Sequence, residues 1–294
     1  MYAGLSYKYK KSWLINTYIA RDLIGFSVGE RLPTIQEFTQ KHASSRGIVQ
    51  KALEELQNKG AISLEKRGKR GTSISAINHK VLFRMGGLEY ITATMPPAVT
   101  GNLAGLATGI CDVMVDCPVP FNFAFIHGAD KRGAALSRMV YDFAVTSQAT
   151  AIRLAAKYPN LAAMLLLEGS VYSPPFVLCS KHPDVRDIRD GDTLAADPSC
   201  LDQYFLTKRL CKGKNVRLIE SPYITCRALL IAGEIDFLVY RNETWIYEYA
   251  LPARPLEGGQ EPDYLLPAVL INKQNYNIGA ILGSFLRPAI IAES

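Results

Sequence analysis

The chain has 294 residues, 48% apolar and 20% charged, which leaves room for two domains of roughly 100–200 residues each and excludes a disordered or fibrous protein. Its six cysteines (111, 117, 179, 200, 211 and 226) show no CxxC and no Cys/His ligand spacing, so no zinc site, other metal or cofactor is expected. The net charge of +6 is uneven: residues 1–78 hold 13 Lys/Arg against 6 Asp/Glu, and 79–294 hold 20 against 21, which predicts a boundary near Asn78 and a polyanionic partner for the first segment alone.

In chain order, residues 12–24 predict a first helix with Ile15, Tyr18, Ile19 and Leu23 on its inner face. Residues 25–33 break it, and Thr34 is placed to cap a short second helix with Ile35 and Phe38 turned inward. HASS turns the chain into a third helix, capped by Ser44 or Ser45 and ended by Gly60, which buries Val49, Ala52, Leu53 and Leu56. AISLE and TSISAI follow as strands, joined by KRGKRG, a hairpin tip with Lys66, Arg67, Lys69 and Arg70 around Gly68. Three helices and a basic hairpin make a winged helix-turn-helix. A helix entering the major groove reads bases from its N-terminal residues, here Arg46, Gly47 and Gln50. Arginine can bond guanine, and glutamine adenine, in bidentate fashion. The wing cations suit phosphates or a narrow minor groove. Gly47 faces away from the buried stripe, so a bare position there lets the helix N-terminus approach DNA closely. Ile48, at the stripe's edge, either extends the core or meets a thymine methyl.

Residues 29–74, GERLPTIQEFTQKHASSRGIVQKALEELQNKGAISLEKRGKRGTSI, resemble the DNA-binding domain of GntR-type bacterial regulators. The shared features are GxxLP, a serine-arginine pair opening the third helix, VxxALxxLxxxG, and a wing ending in GT. The resemblance places Arg46, Gln50, Arg67 and Gly68 at DNA-contact positions. Gln36 stands where that family usually has a DNA-contacting arginine, and Gly47-Ile48 where it commonly has a small polar residue and threonine, so the usual operator is not assumed. SSxGxxQxAL…GAI…RxGxxG resembles a narrower group, the YhfZ-like regulators. The DNA-facing candidates are Thr34, Gln36, Ser44, Ser45, Arg46, Gly47, Gln50 and Lys51, with Lys66, Arg67, Gly68, Lys69 and Arg70 from the wing.

Beyond Asn78, a weak internal repeat indicates the architecture. ALSRMVYDFAVTS at 135–147 and LLIAGEIDFLVYR at 229–241 align Leu136 with Leu230, Tyr141 with Ile235, and Asp142-Phe143 with Asp236-Phe237. Each follows a strand-like run and a helix, FNFAFIHG with ADKRGAALS, then NVRLIES with PYITCRALLIAG. Two βαβ units with matching exits predict two α/β lobes related by pseudo-symmetry.

This arrangement resembles the type 2 periplasmic-binding-protein fold, also used as the effector domain of LysR-type regulators. LATGI, FNFAFIHGAD, YDFAV and DPSxxDQ resemble the YhfZ-like group, so that likeness spans nearly the whole chain. It implies an α/β protein: a winged helix-turn-helix over 1–78 and a two-lobed α/β small-molecule-binding domain over 79–294. Exported relatives capture solutes; one joined to a DNA-binding domain is expected to sense them.

In open α/β sheets, ligands sit at the carboxyl ends of strands, where helix N-termini offer free N–H groups. That rule selects Pro97, Thr100 and Asn102 in MPPAVTGN, and Ser147 and Gln148 after DFAV. It also selects Asp197, Pro198 and Ser199 before CLDQYFLTKRL, and Tyr240, Arg241 and Asn242 after DFLV. Hydroxyls, helix N-termini and one arginine suit a small anion, a carboxylate or a phosphate ester. Ser199 also reads as a helix cap, and Arg241 as a surface ion pair.

An enzyme is the competing class. His127 has Asp130 three residues on and Cys111 and Cys117 nearby in sequence, but no GxSxG, HExxH, P-loop or GxGxxG anchors a reaction. No catalytic residue is assigned, and His127 is read as a cleft or edge residue. The N-terminal MYAGLSYKYKKSWLI lacks a secretory core. No uncharged apolar run reaches the ~18 residues of a membrane span, and even NIGAILGSFLRPAIIA is interrupted by Arg287 and Pro288. The chain is therefore expected to be cytoplasmic and to bind double-stranded DNA at a near-palindromic operator as a homodimer. The alternative is a ligand-binding protein whose winged helix meets a protein partner.

Overall fold

In the computed structural model, which describes residues 3–166, 170–183 and 185–286, the winged helix forms as the periodicity predicts. Arg287 and Pro288, which interrupt the last apolar run, lie outside the described residues. Helix α1 (Ala3–Leu23) begins earlier than its apolar stripe and buries Ile15, Ile19 and Leu23. Helix α2 (Ile35–Lys41) opens on a capping box in which the Thr34 hydroxyl accepts from the Glu37 N–H and the Glu37 carboxylate accepts from the Thr34 N–H. Helix α3 (Arg46–Asn58) lays Val49, Ala52, Leu53 and Leu56 inward and packs on α1. Ser45 is its cap by backbone alone, with no side-chain bond.

Strands β1 (Ile62–Lys66) and β2 (Thr72–Ile77) form the antiparallel wing. Its tip is a single 3-10 turn at Gly68–Arg70, closed by left-handed Gly68 and Gly71 (φ 55° and 86°). Helix α4 (His79–Met85), capped by the Asn78 side chain, packs back on α1.

One compact unit comprises residues up to Ile91, with 114–122 and 275–285. Within it the C-terminal end of α1 is tied to the returning chain. Arg21 donates to the Gly86 carbonyl (2.6 Å), the Asn275 Oδ1 (2.6 Å) and the Tyr276 carbonyl (2.8 Å). Buried Asp22 receives His42, Lys41 and the Tyr276 hydroxyl at 2.8–2.9 Å. Burial alone would raise the Asp22 pKa, but these bonds outweigh it and hold the carboxyl below its usual range.

The second unit, chiefly 92–113 and 123–274, carries two five-stranded sheets. Its elements continue in order as β3 (Ile91–Met95), α5 (Gly101–Met114), β4 (Phe121–Phe125), α6 (Ala129–Ser137), β5 (Phe143–Ser147), α7 (Gln148–Lys157) and β6 (Leu161–Leu166). The chain then crosses to the other lobe through β7 (Phe176–Ser180), β8 (Thr193–Ala196), α8 (Leu201–Leu210), β9 (Arg217–Glu220), α9 (Tyr223–Ile231), β10 (Phe237–Arg241), α10 (Thr244–Glu248), β11 (Ala253–Pro255) and α11 (Pro262–Leu265). It returns in β12 (Pro267–Asn272); the last helix, α12 (Ile278–Phe285), belongs to the first unit.

The sheet orders are β4-β3-β5-β12-β6 and, read in the same sense, β9-β8-β10-β7-β11. In each, the repeat strand (β5 or β10) lies parallel to one neighbour and antiparallel to the strand that crosses between lobes. The paired Asp-Phe of the sequence repeat has a common structural task. Asp142 accepts from the Thr92 N–H (2.8 Å) while its own N–H donates to the Thr92 carbonyl (2.9 Å). Asp236 does the same with Thr193, both at 2.8 Å. Each acid thus satisfies the backbone at the start of the neighbouring parallel strand, and Phe143 and Phe237 enter fully buried cores. No helix among the described residues is long and apolar enough to cross a membrane.

Candidate functional site

Two places gather the predicted residues, one in each unit. In the first, a groove between α2, α3 and the wing is lined by Thr34, Gln36, Arg46, Gln50 and Lys66, together with Arg31, Thr39, Glu54 and Gln57. Gly47 is exposed and nothing lies within 4 Å of where its Cβ would be, so the face between Arg46 and Gln50 is open. Ile48 is partly buried, while Ser45 and Lys51 are exposed. Ser44 is partly buried, and its hydroxyl oxygen is enclosed without a hydrogen-bond partner.

On the wing, Lys66, Lys69 and Arg70 are exposed. Arg67 is paired with Glu65 at 3.1 Å, an exposed contact weak enough to be exchanged for a phosphate. Arg31 was not singled out by sequence. A bridge from Arg31 to Ser73 in β2 brings it to the groove, and no local pattern reports such a pairing.

In the second unit, an open cleft of about 120 Å³ is walled by Pro96, Pro97, Val99, Thr100 and Leu103, by His127, Gly128, Ala129 and Arg132, and by Thr150, Tyr172 and Ser173. Ser199, Cys200, Leu201, Asp202, Tyr223, Ile224, Arg241 and Glu243 complete the lining. Of the candidates drawn from strand ends, Pro97, Thr100, Ser199 and Arg241 line it; Asn102, Ser147, Gln148, Asp197, Pro198, Tyr240 and Asn242 do not. Ser147, fully buried, is the cap of α7 and accepts from the Thr150 N–H. The cap of α8 is Cys200 rather than Ser199, with no side-chain bond.

Ser199 instead donates its hydroxyl to Asp197 (2.7 Å), which also accepts from the Ser199 and Tyr223 N–H groups and meets the His127 Nε2 at 2.9 Å. Burial pushes the Asp197 pKa up, but these donors prevail and hold it low. A serine, a histidine and an aspartate therefore converge, yet both Ser199 Oγ (3.0 Å) and the Asp197 carboxylate face the same ring nitrogen. A proton relay needs the acid and the hydroxyl on opposite ring nitrogens.

Arg241 is a buried residue, not a surface ion pair. It donates to the Pro174 and Tyr264 carbonyls and to Asp202 (3.3 Å), with its guanidinium 3.7 Å over the Phe176 ring. Asp202 is the meeting point: it also receives the hydroxyls of Ser147 (2.6 Å) and Thr150 (2.9 Å), and Arg153 at 3.3 Å. Strand ends of both lobes are thus tied to one carboxylate.

The sequence reading missed Arg132, Asp202 and Glu243. Arg132 is 4% exposed. Its Nη1 donates to the Ile126 carbonyl (2.8 Å), its Nε has no hydrogen-bond partner, and burial lowers its pKa. No carboxylate among the described residues forms a salt bridge with it. Glu243 has an enclosed, unpartnered Oε1, with the Trp245 indole beside it but off hydrogen-bonding geometry. Burial pushes its carboxyl up to about 7, against the pull of Arg227 and Arg241. Among the described residues, no group of three or more His, Cys, Asp or Glu side chains is arranged to hold a metal ion.

These features define a class: a helix-turn-helix protein carrying a two-sheet domain with a cleft built from both lobes. Residues 78–294 match the family model of the YhfZ C-terminal domain, and 27–74 match a helix-turn-helix domain. The chain belongs to the YhfZ family. It is 29% identical over 249 residues to the uncharacterized protein YhfZ of Escherichia coli (strain K12), covering 84% of this chain and 81% of that protein. The crystal structure of YhfZ from Shigella flexneri superposes with a TM-score of 0.60 at 22% identity, covering 73% of this chain and 91% of that one. The ligand-binding component of an ABC-type import system from Staphylococcus aureus, with zinc bound, gives 0.50 at 12% identity, over 67% and 71%. The two-sheet domain thus shares its fold with periplasmic-binding-protein-like solute binders.

Proposed function

We propose that this protein is a ligand-responsive transcriptional regulator, expected in the cytoplasm, whose segment 1–78 binds operator DNA and whose segment 79–294 senses a small anionic metabolite. The observation that carries the DNA reading is the exposed N-terminal face of α3, where Arg46 and Gln50 flank an open Gly47 beside the basic wing. GntR-like docking puts these residues on base edges and Lys66, Lys69 and Arg70 on phosphates. A recognition helix covers one half-site, so a homodimer on a near-palindromic operator fits. The sheet order, with one strand of each lobe supplied by the crossing chain, favours a type 2 periplasmic-binding arrangement. Ligand shifts such a domain only through different affinities for its open and closed states.

Selection of sites from random DNA, followed by Arg46→Ala, tests this. The substitution is expected to cost ~1–3 kcal/mol and relax preference at one base pair. Lys66→Ala or Lys69→Ala should weaken all sequences alike and lower the salt slope by about 1. Salt-insensitive binding, or an unchanged preference in Arg46→Ala, would refute the docking.

A further inference from the structure

We infer that the cleft takes a small monocarboxylate with an apolar body and a hydrogen-bond donor at its other end, its carboxylate held by Arg132 and its donor by Glu243. The inference rests on reading the cleft as a ligand site and chooses between the two anion classes that reading allows.

The cationic inventory of the cleft is short. Arg241 already faces Asp202 and two carbonyls. His127 has its Nε2 committed to Asp197. Arg132 is the cation with capacity left: a guanidinium with five donors, one given to Ile126 and the buried Nε without a partner. An arginine buried without a salt-bridge partner is costly, and an incoming carboxylate offsets that cost while accepting two parallel bonds.

The facing lobe supplies the opposite chemistry. Glu243, at the start of α10, presents an enclosed Oε1 that the neighbouring Trp245 indole N–H does not meet in hydrogen-bonding geometry. A second anionic group on the ligand would meet that carboxyl, and a hydroxyl or ammonium would satisfy it. Phosphate esters carry about −1.5 to −2 at neutral pH, which one free guanidinium beside an acid does not balance. Between the two ends the walls are apolar: Pro97, Val99, Leu103, Tyr172 and Ile224. The cleft is small, about 120 Å³, and suits a compact ligand.

Isothermal titration calorimetry on the full chain tests the assignment with four probes: 4-hydroxybenzoate, 6-hydroxyhexanoate, terephthalate and inorganic phosphate. At least one of the two hydroxyacids is expected to bind saturably, with terephthalate and phosphate about tenfold weaker or silent. Arg132→Met should weaken the hydroxyacid at least tenfold while remaining folded by circular dichroism, since it leaves no carboxylate unpaired and costs the Ile126 carbonyl a single donor. Glu243→Gln should keep the hydroxyacid and admit terephthalate. Binding of phosphate or terephthalate with no response to either hydroxyacid would overturn the monocarboxylate class and leave the cleft a ligand site. Hydroxyacid binding untouched by Arg132→Met would overturn the role of Arg132. Silence from all four probes would overturn the monocarboxylate class, without touching the sensing reading or DNA binding.

Discussion

Ser147 and Arg241 hold the same place in the internal repeat, each closing the strand that follows its Asp-Phe pair, and both reach Asp202. One brings a small hydroxyl, the other a buried cation. The same register pairs Arg132 of α6 with Cys226 of α9: the first is an unpaired guanidinium on the cleft wall, the second a buried thiol bonded to the Ser221 carbonyl. It also pairs Gly133 with Arg227, which lies over the Trp245 ring at 5.3 Å. The two lobes agree where a residue satisfies backbone, as Asp142 and Asp236 do, and differ where a residue faces the cleft or a neighbouring helix. The backbone pattern of a parallel sheet has few solutions, whereas a ligand approached from two sides needs different chemistry on each.

Five substitutions would break or sharpen this contrast. The largest effect belongs to Asp202→Ala, which leaves Arg241 buried without its carboxylate and should cost ~3–5 kcal/mol in urea unfolding. A loss under ~1 kcal/mol would mean that Asp202 does not tie the lobes. Next is Glu243→Gln. Because the folded carboxyl titrates at about 7 rather than 4.5, the native state holds an extra proton between those values. Wild-type stability therefore falls as pH rises through that window. Glu243→Gln should gain on the wild type by up to ~3 kcal/mol between pH 4.5 and 8, read by urea unfolding at several pH values.

Gly133→Ala follows. An added Cβ would sit 2.7 Å from the Leu154 Cδ2 and 3.1 Å from the Tyr158 ring, so ~1–3 kcal/mol of overpacking is expected in thermal melts. Its counterpart Arg227→Ala loses a cation–π contact with Trp245 and a cation near Glu243, with no overpacking, and should cost under ~1 kcal/mol. Equal losses at the two positions would contradict the asymmetric helix packing. Smallest is Ser199→Ala, expected within ~0.5 kcal/mol of the wild type, since Asp197 keeps two backbone donors and His127.

Much of the first unit was legible because its determinants are local. The Thr34 capping box, the stripe of α3 and the glycine-closed wing lie within a few residues of the elements they specify. The Asp-Phe repeat exposed the duplicated lobes for the same reason: helix exit, acid and buried strand are consecutive. The early start of α1 left no mark in its apolar spacing.

The cleft was legible only in outline. The strand-end rule located Pro97, Thr100, Ser199 and Arg241, but it also chose Ser147 and Tyr240, which the lobes bury. Whether a strand-end side chain turns to the cleft or the core depends on what packs over it. Sequence by itself determined the helices, the wing, the charge division and the doubled βαβ plan, all set by short-range periodicity and backbone chemistry. Only the tertiary structure decided that Arg241 spends its charge on Asp202 while Arg132 keeps its own, because pairing and desolvation are properties of residues distant in the chain.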